Sequence, residues 1–500
     1  MDDELKRFLA DFSTLTDLAA SMQLGEHHGE QVWDAVEAHF GSTTAGIPAV
    51  TEEFGGHRLA DASILLSGMD GIKRLVGVGS EERHHLSLGD LLQNRRHHRA
   101  PIAEPDYRTV DVGPDQSRRI VDYGLFLVDG SHGRLAVLLR GPHPQFGRAA
   151  ASLEILGGRA EHVDAFTSWF RAEMRAQSIY RRHVVSFSAN EFEPTTGGVT
   201  FHRRPQMTPG DIILPSGVLS SVERQVIELG RHRAALLRAG QHLKRGVLLY
   251  GPPGTGKTHL VRYLLSRSAG TTAILLSAGS LSLVAEAARM ARALQPAIVV
   301  LEDCDLVAED RGFGMGAQPL LFELLEAMDG LDADADVAFV LTTNRVETLE
   351  RALAQRPGRV DLAVEIPKPG EAERRALLGL YAGSLGFSEE TLDRAAEQTG
   401  GTTASFAKEL VRRSVLRAAL QDRDVTDDDL AATVEELMAA QSALTRSLLG
   451  AGSPPNPEDD DEVPDVDGTA EGLAYGSSFG WAPSPGTESR VAGFIDDPEG

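Results

Sequence analysis

Cysteine is almost missing from this chain of 500 residues. Cys304 stands alone, so no disulfide can form within it. A fold that does without disulfides fits a reducing compartment, and the cytoplasm is the expected location. Long apolar runs are also lacking. No stretch reaches the roughly eighteen residues that a bilayer crossing requires, so no membrane span is expected. The first residues, Met1, Asp2, Asp3 and Glu4, include no apolar leader core, which argues against export. Basic residues are outnumbered, 49 against 73, giving a net charge of −24. Such an excess argues against general nucleic-acid binding, which needs a positive surface. About half of that excess lies in the last fifty residues, so the body of the chain is milder. No His-Glu-x-x-His pattern occurs, which argues against a fused zinc protease. The histidine pairs, such as His84 with His85, diverge when placed on a helix and read as solvated surface rather than as metal ligands.

What is present is a phosphate-binding loop. Gly251, Pro252, Pro253, Gly254, Thr255, Gly256, Lys257 and Thr258 fit G-x-x-x-x-G-K-T. Its glycines let backbone N–H groups converge on phosphate oxygens. Lys257 reaches the β- and γ-phosphates, and the Thr258 hydroxyl suits Mg²⁺. The apolar run 247–250 before the loop reads as a buried strand. Helical spacing from His259 onward makes the loop open a helix, whose N-terminus attracts anions.

The rest of the chain divides by pattern. Residues 1–105 read as a mainly helical region. Residues 106–190 read as a small α/β module, with strands over 120–128 and 134–140 and a helix over 163–180. The module shows no catalytic constellation, and its expected role is recognition of a protein substrate or adaptor. Residues 191–215, rich in Pro, Gly and Thr, read as a linker. Residues 216–369 hold the loop and three further apolar strands, at 272–276, 297–301 and 337–341. Unbroken apolar strands separated by helices imply a parallel sheet covered on both faces. Its carboxyl edge carries Glu302, Asp303 and Asn344. Residues 370–450 read as four amphipathic helices, with Ser388 and Thr426 as N-caps. Residues 451–500, acidic and rich in Pro, Gly and Ser, read as disordered.

The stretch 244–368 resembles the AAA family of ATPases. The phosphate loop, the run from Pro296 to Asp305, and Thr343, Asn344 and Arg345 followed by Arg356 and Arg359 stand in family order. The resemblance implies an α/β fold: a P-loop AAA module with its parallel sheet between helices, and an all-helical lid. An α+β N-terminal region precedes this module, and the acidic tail follows it. The resemblance also implies an ATP hydrolase using ATP and Mg²⁺, with residues 251–258 and His259 on the nucleotide. Thr258 and Glu302 would serve the metal, Asp303 the attacking water as base, and Asn344 its placement. Arg356 and Arg359 match the arginine fingers that complete a neighbouring subunit's site. Fingers that act in trans imply a ring of identical subunits, usually six.

Three departures from the family pattern stand out. Relatives end the third strand in Asp-Glu, whereas here the order is Glu302, Asp303. The base is then one methylene (about 1.5 Å) short, and misplacement on that scale costs up to about 10²-fold. The segment after the second strand, 277–286, lacks the aromatic residue with which threading relatives grip polypeptide. Phe313 is the substitute candidate. The adenine-side Asp-Gly-Gly motif is replaced by Asp211, Ile212, Ile213 and Leu214. Two readings follow: a ring ATPase that remodels a protein substrate, or an ATP-gated oligomeric switch with slow hydrolysis and no threading.

Overall fold

The computed structural model describes residues 29–439 except 45–46, 80, 94–98, 191–192, 278–279, 281–282, 305–333 and 347–359, with a few positions before residue 16. The 451–500 tail, Phe313, Arg356 and Arg359 therefore lie outside the described residues.

Two seven-stranded sheets form the body. The first contains β1 (Val50–Phe54), β2 (Ile72–Val78), β3 (Ile102–Ala103), β4 (Asp106–Gly113), β5 (Gln116–Gly130), β6 (Gly133–Arg140) and β7 (Ala151–Gly157). Its order is β1-β7-β6-β5-β2-β3, with β4 also on β5, and every pair is antiparallel. The expected strands over 120–128 and 134–140 are β5 and β6, in a register that pairs Gly130 with Gly133. Gly133 turns the corner at φ +83°, where a Cβ would strike the His162 ring at 2.4 Å.

Side-chain alternation explains why β5 reads as a continuous apolar run. Phe126 and Val128 point to one face, under helices α1 (Leu59–Ser67) and α2 (Ala160–Ala176). Leu125 and Leu127 point to the other, against α3 (Val32–Phe40) and α4 (Leu88–Gln93). Helix α2 presents Val163, Phe166, Phe170 and Met174 to the sheet at three- and four-residue steps. Burying each such side chain contributes about 1.5–3 kcal/mol.

Residues 1–105 contain, beside their helices, the strands β1, β2 and β3, which join the sheet of the module that follows. These strands are short and only half-buried, so their alternation is faint, and pairing with β5 and β7 supplies what local pattern does not.

The second sheet has the order β14-β10-β13-β12-β11-β8-β9. Its parallel strands are β8 (Val184–Asn190), β10 (Arg245–Tyr250), β11 (Thr272–Leu276), β12 (Ala297–Leu301), β13 (Val337–Thr343) and β14 (Leu362–Glu365). Val247, Leu249, Ile298 and Val300 pack toward helix α5 (Lys257–Arg267). Leu248, Val299, Leu301 and Phe339 pack toward α6 (Val284–Ala293).

The expected linker 191–215 is partly strand. β9 (Glu193–His202) runs antiparallel to β8 and closes this sheet at one end. Its Gly and Thr content resembles a loop, yet Val199, Thr200 and Phe201 are good strand formers once β8 offers a ladder.

The lid consists of α7 (Glu371–Ala382), α8 (Glu389–Gln398), α9 (Ala404–Ala419) and α10 (Asp427–Met438) around one apolar core. Ser388 caps α8 by accepting the Thr391 N–H, and Thr426 forms a capping box with Asp429. A buried guanidinium joins the helices, since Arg374 donates to the carbonyls of Ala396 and Pro369, both at 2.9 Å.

Candidate nucleotide site

Because β10 to β13 run parallel, their carboxyl ends share one edge. Just beyond them stand Gly251, Ser277, Glu302 and Asn344. At Gly251 a side chain is excluded, since a Cβ would lie 2.3 Å from the Ile366 carbonyl oxygen. The loop then curls over Lys257, the first residue of α5. Its buried ammonium donates to the carbonyls of Gly251 at 2.6 Å and Pro252 at 2.8 Å. The Thr255 hydroxyl donates to the same Pro252 carbonyl at 2.9 Å.

The lid meets the loop at Gly254. The Ser405 N–H donates to the Gly254 carbonyl at 3.1 Å. The Thr403 and Ser405 hydroxyl oxygens lie 3.1 Å from where a Cβ at 254 would sit, a tight approach, and Gly254 holds φ +77°, where a side chain is strained.

These elements enclose a cavity of about 420 Å³. Pro253, Gly254, Thr255, Gly256, Lys257, Thr258 and His259 form one wall. Asp303 and Asn344 stand at the strand ends, residues 211–214 on one side, and Leu377, Tyr381, Ala404, Ser405 and Lys408 on the lid side. The His259 ring nitrogen Nε2 lies 3.0 Å from the Asp211 carbonyl oxygen, which ties the start of α5 to that side segment. The N–H and hydroxyl of Thr208 hold the Asp211 carboxyl below the usual carboxylate range. Burial pushes the Tyr381 phenol up.

The acidic pair divides in two directions. Asp303 sits in the left-handed region at φ 54°, which Asp tolerates better than most residues. Its N–H donates to the Thr342 hydroxyl at 3.1 Å, and its Oδ1 accepts from the Asn344 amide at 3.4 Å. Glu302 extends the ladder by one step, donating its N–H to the Leu276 carbonyl at 3.0 Å. Its Oε1 is buried with no hydrogen-bond partner. A desolvated carboxylate oxygen without a donor fits a site meant for a cation. Carboxylate and hydroxyl oxygens such as those of Glu302 and Thr258 are the hard ligands that Mg²⁺ takes.

Of the residues singled out in the sequence, 253–259, Asp303 and Asn344 meet in one cavity. Gly251 and Pro252 join through Lys257, whereas Glu302 follows β12 at the same sheet edge and is not among the residues that line the cavity. Leu377, Tyr381 and Lys408 were not anticipated. For Lys408 a signal existed. The turn at 400–403 borders the loop, and Lys408 lies one helical turn after Ala404, hence on the same face of α9.

Residues 247–368 match the family described as ATPase family associated with various cellular activities (AAA). The chain is 32% identical to the proteasome-activating nucleotidase of Methanocaldococcus jannaschii over 231 residues, covering 43% of this chain and 54% of the relative. It is 28% identical to ATP-dependent zinc metalloprotease FtsH 3 of Synechocystis over 276 residues, covering 52% and 44%. It is 28% identical to the proteasome-activating nucleotidase of Thermococcus onnurineus over 282 residues, covering 53% and 70%. For the first two, the chain spans about half the relative's length.

Proposed function

This chain carries an AAA ATPase module, and we propose that it hydrolyses Mg·ATP within a ring of its own copies to remodel a protein substrate. What supports this reading most is the single cavity that gathers the phosphate loop, Asp303, Asn344 and the lid. The names of the relatives tie ATP to proteolytic machines, which favours protein as the substrate class. Among the described residues no helix is long and apolar enough to cross a membrane.

In this mechanism the backbone N–H groups of 251–258 and the Lys257 ammonium bind the phosphates at the start of α5, where the helix favours negative charge. Asn344 orients the attacking water, and Asp303 accepts its proton. Thr258 and Glu302 would hold a magnesium ion, which would supply charge neutralisation at the phosphate oxygens. Arg356 and Arg359 enter from the neighbouring protomer and stabilise the charge that spreads in the transition state, a contribution of about 10³–10⁵ elsewhere. The N-terminal region holds the protein substrate or adaptor.

Asp303→Asn should keep ATP binding and lower hydrolysis by about 10²–10⁴-fold, whereas Lys257→Ala should lose binding itself. Nucleotide-binding fluorescence and phosphate release separate the two. Hydrolysis unchanged in both variants would overturn the proposal. One observation favours the slower, switch-like reading. The short Asp303 side chain rises from a left-handed backbone and is engaged by Asn344. Ring assembly and partner binding driven equally by a non-hydrolysable nucleotide would select the switch.

A further inference from the structure

The carboxyl end of β13 carries a hydroxyl where the strand is otherwise apolar. Residues Val337 to Leu341 are all apolar and buried, and Thr342 follows them at 1% exposure. Its register partner on β10 is Leu249, so the step it occupies belongs to the apolar interior of the sheet. A hydroxyl buried there costs free energy unless it is hydrogen-bonded. The bond it makes reaches the candidate base, because the Asp303 N–H donates to Thr342 Oγ1 at 3.1 Å. The main chain of the same residue holds the next step, the Cys304 N–H donating to the Thr342 carbonyl at 2.9 Å. Residue 342 therefore grips the backbone on both sides of the Asp303 Cα.

That grip falls where the backbone needs holding. Among the described residues that line the nucleotide cavity, Asp303 is the one non-glycine in the left-handed region, at φ 54°. A residue with a Cβ is strained in that conformation and stays there only when its surroundings fix it. The turn also decides where the side chain points. From it, Oδ1 comes within 3.4 Å of the Asn344 amide nitrogen. Asp has one torsion fewer than Glu with which to correct a displaced Cα. Whatever rate the short carboxylate sustains therefore depends on the direction of its backbone.

We propose that Thr342 is a positioning residue for hydrolysis, its hydroxyl holding Asp303 in the left-handed turn that aims the short carboxylate at the water beside Asn344. This deepens the reading of Asp303 as the base and rests on it.

The test separates the hydroxyl from the shape that carries it. Thr342→Val removes the hydroxyl and keeps the branched side chain, whereas Thr342→Ser keeps the hydroxyl. Phosphate release is measured on the full chain against ATP concentration, with nucleotide-binding fluorescence alongside. Thr342→Val should lower kcat by about 10- to 100-fold, the scale on which a misplacement of about 1 Å acts. The KM for ATP and the nucleotide affinity should stay within about twofold. Thr342→Ser should keep kcat within about threefold of the wild-type chain. Because Thr342 acts through Asp303, adding Thr342→Val to Asp303→Asn should cost less than about twofold more. The inference is overturned by a valine variant with wild-type kcat, by a serine variant as slow as the valine one, or by the full further loss on top of Asp303→Asn. A valine variant that no longer binds nucleotide also overturns it, since residue 342 would then only support the fold. If Asp303→Asn alone hydrolyses ATP at the wild-type rate, the assignment of the base fails and takes this inference with it. The two failures are thus told apart by which variant keeps its rate.

Discussion

The two sheets have seven strands each and both bury apolar side chains on two faces, yet only one builds a nucleotide site. The difference is strand direction. In the second sheet the connections between the parallel strands β10 to β13 return the chain to the same side, so successive strand ends deliver polar residues to one edge. Gly251, Glu302, Asp303 and Asn344 arrive there in that way. In the antiparallel sheet the ends alternate, and no edge accumulates them. Its polar investment is internal instead. Arg140 on β6 pairs with Glu154 on β7, both buried. Glu154 also accepts the Leu88 N–H, and Arg140 donates to the His84 carbonyl at 2.9 Å. One sheet gathers its polar groups at a shared edge, the other uses them to hold itself together.

The sharpest way to break this contrast is Arg140→Ala. Leaving the Glu154 carboxylate buried and unpaired should cost about 3–5 kcal/mol, read as a lower urea midpoint in the fluorescence of Trp33 and Trp169, which pack against the first sheet. ATP affinity should not change. If affinity falls with stability, the first sheet has a share in the chemistry and the division fails.

A smaller effect is expected at the seam between the sheets. His57 is buried there with its Nε2 3.6 Å from a Glu286 oxygen. Burial outweighs that carboxylate, and with Arg58 and Arg289 opposing the charged form, the imidazole pKa is pushed down to about 4 from its ordinary 6.5. Between those values the unfolded chain binds the proton and the folded one does not. Stability from this group is therefore full above pH 6.5 and lost as pH falls toward 4. The slope is at most about 1.4 kcal/mol per pH unit for one histidine. His57→Gln should remove its share from a series of melts between pH 7 and 5. The remaining slope would include His84, which burial also lowers to about 4. A slope identical to wild type would refute this assignment.

The smallest expected effect is at the lid. Lys408 is exposed and lines the nucleotide cavity. Lys408→Ala should raise the KM for ATP by about three- to tenfold, the scale of about 1 kcal/mol for an exposed charge contact, with kcat little altered. An unchanged KM would remove the lid cation from the site.

Much of the parallel sheet was legible in the sequence, because strands covered on both faces read as unbroken apolar runs. Residues 272–276 and 297–301 agree with β11 and β12 to the residue. The lid helices were legible through their caps, as at Ser388 and Thr426. The first sheet was legible only at β5 and β6, its most buried strands. β1 and β2 are half-exposed at its margins, and β9 carries loop-like glycines, so their identity comes from the partner strand rather than from local sequence. Within the site, the loop and strand-end residues form contiguous motifs. Tyr381 and Lys408 come from separate lid helices, and only folding places them over the loop.

The bond between Ser405 and Gly254 makes the lid a reader of the loop's shape. By thermodynamic reciprocity, a nucleotide that reshapes the loop on binding shifts the lid, and anything that braces the lid alters nucleotide affinity by the same factor. In the ring we propose, a neighbour pressing on that lid would set how tightly this subunit keeps its nucleotide, with no signal crossing either sheet.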